Sequence, residues 1–125
     1  MAGTYVSGLH SAEARRALAE VLLALFRHWG IHELNQAELL GMAEVKSLWE
    51  GGAVPNTTSV LERAGLLLAI DRMLKQLFAE EPLMRDKWVE FPNVALGGRS
   101  PLKVMLEGAE GIRRVHALLE REMQR

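Results

Sequence analysis

Four histidines, His10, His28, His32 and His116, are the first residues here that could hold a metal or move a proton. His28 and His32 are four apart, a spacing that stacks two ligands on one face of a continuous helix. Gly30 lies between them and breaks such a helix, while His10 and His116 have no histidine neighbour at ligand spacing. Surface or boundary histidines are therefore expected, and no metal site. The chain has no cysteine, which excludes disulfides, thiolate catalysis and zinc sites of the cysteine type. No serine sits in a nucleophile-elbow motif. Glu80 and Glu81 precede Pro82, where negative charge suits the start of the next helix better than acid–base work. Asp71 and Arg72 are adjacent, so on a helix they point about 100° apart and do not face each other. One of them is expected in a helix interface as a pairing residue. With no catalytic constellation, the chain reads as a non-enzyme without cofactor or small-molecule substrate.

Two segments could bind. The short helices expected around Gly41 have the shape of a helix-turn-helix, with Leu39 and Leu40 packed inside and Leu48 and Trp49 anchoring the second helix. That helix would expose Ala43, Glu44, Lys46, Ser47 and Glu50. If DNA is read here, the contacts fall on Glu44, Lys46 and Ser47, although the acidic residues oppose phosphate. The second segment is Leu96-Gly97-Gly98-Arg99-Ser100-Pro101. Its glycines and capped helix start could gather free N–H groups around an anion. Taken alone, it reads better as a tight turn whose glycines adopt positive φ, with Arg99 exposed or pairing locally.

The elements that must position these residues read as helices throughout. Ser11 is a plausible N-cap for a helix to about Trp29, with Leu18, Leu22, Leu25 and Trp29 in one stripe, stopped by Gly30. Asn35 and Glu38 resemble a capping box opening a short helix that ends near Gly41. A second short helix, about Ala43 to Glu50, stops at Gly51-Gly52. The Gly51 to Asn56 stretch, with Pro55, is the best boundary candidate. Ser59 and Glu62 open a long helix to about Phe78, with Val60, Ala64, Leu67, Leu74 and Phe78 on its apolar face. Pro82 suits the first turn of a helix over about Leu83 to Val89. A loop with Pro92, Gly97 and Gly98 follows, then a helix started by Ser100 and Pro101 and interrupted by Gly108. The last helix runs from about Ala109 to Met123, with Ile112, Val115 and Leu119 on one side. The fold class is all-α, with a helix-turn-helix-like subdomain over residues 1–56 and a second helical subdomain over 57–125.

Composition bounds the partners. At 49% hydrophobic and 25% charged, the 125 residues match ordinary globular domains and can bury a core. The net charge is −1, and neither half carries the basic excess that polyanion binding needs. The N-terminus lacks a basic region followed by an apolar stretch, and the longest apolar runs fall far short of the ~20 residues that span a bilayer. No membrane partner is expected, and the cytoplasm is the expected compartment.

The stretch PNVALGGRSPLKVMLEGAEGIRRVHALLE, from Pro92 to Glu120, resembles the C-terminal toxin-binding domain of the Xre/MbcA/ParS antitoxins. That family carries a Pro-Asn, a Gly-Gly-Arg-Ser-Pro-Leu-like turn, a short helix, a glycine and a final helix with a Val-x-x-x-Leu pattern. The preceding LLLAIDRMLKQLF and WVEFPN look like its long helix and tryptophan-bearing turn. The resemblance implies a type II antitoxin that blocks the NAD pocket of a RES-type toxin, with autorepression of its operon. By motif match it assigns toxin contact to Gly97, Gly98, Arg99, Ser100, Pro101 and Leu102. Exposure and position on the last helix add Arg113, Arg114, Glu120, Arg121 and Arg125. The helix around Lys46 is about one residue shorter than the family's and lacks its Ser/Arg-rich start, which weighs against operator binding. A homodimer through the long central helix and the N-terminal helix is expected. The competing reading is a stand-alone helix-turn-helix regulator, which the charge distribution disfavours.

Overall fold

The computed structural model describes residues 11–125, and every regular element within them is helical. Helix α1, Ala12–Trp29, begins where Ser11 Oγ accepts the Ala14 N–H at 3.0 Å and stops at Gly30. Its buried stripe includes Leu22, Leu25, Phe26 and Trp29, while Leu18 is half-buried. His10 lies outside the described residues.

Helix α2, Glu33–Leu40, starts earlier than the Asn35–Glu38 pattern predicts. Its N-cap is His32, whose Nδ1 accepts the Leu34 N–H at 3.3 Å, and Asn35 lies inside the first turn. Gly41 ends it as expected. The expected helix from Ala43 to Glu50 contracts to α3, Lys46–Trp49. Residues 43–45 are spent on the turn, and the Glu44 carboxylate accepts the Ser47 N–H at 3.2 Å at its start.

Helix α4, Thr58–Leu77, is capped at Thr57, so Ser59 sits inside it. Phe78 is its C-cap and only half-buried, because the chain turns off before that residue can complete the apolar face. Helix α5, Pro82–Lys87, takes proline in its first turn and runs into a 3-10 turn at Trp88–Glu90. A second 3-10 turn, Val94–Leu96, precedes α6, Pro101–Met105, and α7, Ala109–Met123.

These helices share one hydrophobic cluster. Leu22, Phe26, Trp29, Leu39 and Leu40 on one side of residue 56 join Leu67, Ile70, Leu74, Ile112 and Val115 on the other. The Gly51–Asn56 segment has no regular structure, but it is tied to α1. Val54 is fully buried, its N–H donates to the Arg15 carbonyl at 3.2 Å, and Arg15 Nε donates to the Val54 carbonyl at 2.9 Å. The most extensive helix pairings are α4 with α7 and α6 with α7, so the C-terminal helices close the core.

Gln36 is the one buried polar side chain among the described residues. Its Nε2 donates to the Ile31 carbonyl at 2.9 Å, and its Oε1 accepts the Trp49 indole N–H at 3.0 Å. The α1–α2 turn and the short α3 are thereby joined through one amide, and the Arg27 guanidinium lies 5.4 Å over the Trp49 ring. Gln36→Ala would orphan a carbonyl and an indole N–H, so a loss of about 2 kcal/mol is expected. Urea unfolding of the two proteins would read it, and an unchanged midpoint would refute the role.

Candidate functional site

Residues 93–99 form a closed loop built on Asn93. Its side chain accepts the Ala95 N–H at 2.9 Å, and its carbonyl accepts the N–H groups of Leu96 and Gly98, each at 2.9 Å. Its own N–H donates to the Arg99 carbonyl at 3.0 Å, which shuts the loop. Gly97 and Gly98 stand at φ +70° and +84°, a region costly for any residue with a Cβ, so this turn requires them. Arg99 is half-buried and bound locally: its Nε donates to the Leu96 carbonyl at 3.3 Å, and Nη1 pairs with Glu107. Ser100 Oγ accepts the Lys103 N–H at 3.1 Å and so occupies the start of α6, where an anion would have to bind. Pro101 is buried and Leu102 half-buried. Of the six motif residues, then, Gly97 and Gly98 are open at the surface, while Arg99 to Leu102 hold the turn on α6 and the core.

Helix α7 crosses α6 at Gly111. A Cβ there would stand 2.8 Å from the Val104 carbonyl carbon and closer still to its oxygen, so the two backbones meet without an intervening side chain. Beyond this crossing Ile112, Val115, Leu118 and Leu119 enter the core. Arg113, Arg114, Glu120, Arg121 and Arg125 are all exposed, as expected. They differ in what holds them. Arg113 donates to Glu62 on α4 at 3.0 Å and to Glu110 at 2.9 Å. Those hydrogen bonds, Glu62's first, raise its pKa above the ordinary arginine value. Arg125 pairs with Glu122 at 2.9 Å, and Glu120 lies 3.5 Å from His116. Arg114 and Arg121 have no ion-pair partner among the described residues. Being seven apart on α7, they share one face.

A groove of about 370 Å³ lies beside this face. Its apolar lining comes from Leu77, Phe78, Trp88, Leu118 and Leu119, its remaining wall from Asn93, Ala95 and Glu122. Its lining residues run from Leu77 to Glu122 in the sequence, and single-segment patterns carry no trace of it. Asn93 and Gly111 do leave local marks. One is an Asx-type residue beside a glycine pair, the other a glycine inside a helical pattern, which points to close packing.

The remaining candidates are dispersed. His28 is 4.0 Å from Asp86 across the α1–α5 contact, and His32 serves as a cap, so Gly30 separates the pair as expected. No group of three or more metal-type ligands occurs among the described residues. Asp71 is the interface member of its pair, mostly buried and 3.0 Å from Lys75, while Arg72 is exposed. Glu44, Lys46 and Ser47 are exposed on and before α3, but Glu44 binds the Ser47 N–H and Lys46 lies 4.0 Å from Glu50. No described helix is long and apolar enough to cross a membrane.

The family model for the antitoxin Xre/MbcA/ParS C-terminal toxin-binding domain matches residues 73–123. That span runs from the last turn of α4 through α7 and contains the Asn93 loop, the Gly111 crossing and the whole lining of the groove. No curated protein matches the sequence. Over residues 73–123, then, this chain is similar to the toxin-binding domain of the Xre/MbcA/ParS antitoxins.

Proposed function

We propose that this protein is the antitoxin of a type II toxin–antitoxin pair whose toxin is of the RES class, NAD-consuming or ADP-ribosyltransferase-like. It acts by laying α7 and the adjoining turn over the toxin's active site. The observation that carries the reading is a coincidence: the matched span also holds Arg114 and Arg121, two cations on one face without an ion-pair partner among the described residues. A binding role needs a rigid exposed surface and no reactive group, which is what α7, held by its buried face of Ile112, Val115, Leu118 and Leu119, supplies.

A homodimer and autorepression belong to the same reading. The dimer would use α1 and α4, where Leu18, Leu61, Leu66 and Leu68 line an apolar depression of about 340 Å³. A monomeric mass by light scattering would remove it. Operator contact through Glu44, Lys46 and Ser47 would rest on the dimer, because α3 is a single turn and two weak half-sites must act together.

Co-expression with the neighbouring reading frame tests the main claim. Co-purification and rescue of growth are expected. No complex and no rescue, with specific binding to the chain's own promoter, would establish a stand-alone regulator instead. Deletion from Ala109 onward is a poor probe, since it strips Ile112, Val115, Leu118 and Leu119 from the core.

A further inference from the structure

We propose that the groove between the end of α4, the Trp88 turn, the Asn93 loop and α7 receives an apolar element of the toxin, with Val94 as the contact at its rim. The proposal rests on the antitoxin reading and names the surface that reading leaves unspecified. Every residue lining the groove lies within 73–123, the span that matches a toxin-binding domain, so the groove is continuous with the surface to which that match assigns a partner.

Three exposed apolar residues are close in sequence to residues that line it. Val94 is 95 % exposed and sits in sequence between the lining residues Asn93 and Ala95. Phe91 lies between Trp88 and Asn93, and Met123 follows Glu122; both are exposed. Scattered apolar residues on a surface need no explanation, but these three accompany a groove whose lining includes Leu77, Phe78, Trp88, Leu118 and Leu119. The loop that presents Val94 is already closed by the Asn93 and Gly98 hydrogen bonds and by the Arg99–Glu107 pair. Little conformational entropy remains to be lost when it docks. In this view the Gly-Gly-Arg-Ser-Pro motif acts indirectly. It holds the loop in shape, and the neighbouring apolar residues make the contact. The occupant is accordingly an apolar side chain or short helix face of the toxin, with the Glu122–Arg125 pair at the edge.

The test uses the full chain and the toxin encoded by the adjacent reading frame. Val94→Glu places a charge at the rim, and Ala95→Trp plugs the groove from an exposed position. Leu34→Glu, at a site 75 % exposed on α2 and outside the matched span, is the control. With circular dichroism confirming the fold, both rim variants are expected to raise the toxin dissociation constant about tenfold or more while the control stays within twofold. Wild-type affinity in both rim variants, or equal weakening by the control, overturns the proposal and leaves the antitoxin reading standing. A wild-type protein that binds no toxin overturns both.

Discussion

Replacing Gly111 by alanine is expected to cost about 3 kcal/mol and to lower the melting temperature by about 10 °C. The methyl group has no space: it would overlap the Val104 carbonyl, a backbone group held in α6 and unable to rotate away. Relief requires α7 to move off α6, which loosens Val104, Met105, Ile112 and Val115, all fully buried at that crossing. Since α7 also carries the free arginines, toxin rescue should fall with stability. Thermal unfolding followed by circular dichroism reads the effect directly. A melting temperature within about 2 °C of the parent would show that the two backbones do not meet as described.

Charge reversal at Arg114 and Arg121 together should leave folding within about 0.5 kcal/mol of the parent, because both are exposed and no described group is paired with them. Toxin binding should nevertheless weaken by about 2 kcal/mol or more, roughly a 30-fold rise in dissociation constant, as expected for interfacial charges that lose their partners. Arg113→Glu is the instructive contrast. It breaks the Glu62 and Glu110 pairs, so its first consequence is local repulsion on the α4–α7 seam. Titration calorimetry with the purified toxin, beside urea unfolding of each variant, separates the two behaviours. If the double reversal binds as the parent does, the exposed face of α7 is not the inhibitory surface.

Much of this molecule was legible locally. Ser11, Ser100 with Pro101, Pro82, and the glycines at 30, 41 and 108 mark helix ends by chemistry that acts within one turn, and all of them do so in the structure. The failures are local too, and they have a cause. Asn35 and Ser59 satisfy the capping pattern, yet the helices begin at His32 and Thr57, because burying Gln36, Ala37 and Val60 sets where each helix must start. Likewise α3 shrinks to one turn because the chain must bring Val45 and Leu48 into the core and still deliver the Trp49 indole to Gln36.

The sequence by itself determined an all-helical chain, its helix boundaries to within a few residues, the absence of thiol chemistry, and a C-terminal motif specific enough to name a family. Only the tertiary structure decided which of five exposed charged residues on or just after α7 are free, since Arg113 finds Glu62 across 51 positions of chain. It also decided that Arg99 serves the turn, that Gly111 is a contact between backbones, and that residues from Leu77 to Glu122 enclose one groove. The reason is physical. Capping and helical periodicity arise from groups three or four residues apart, whereas pairing, close approach and concavity depend on which distant helices the shared core forces together.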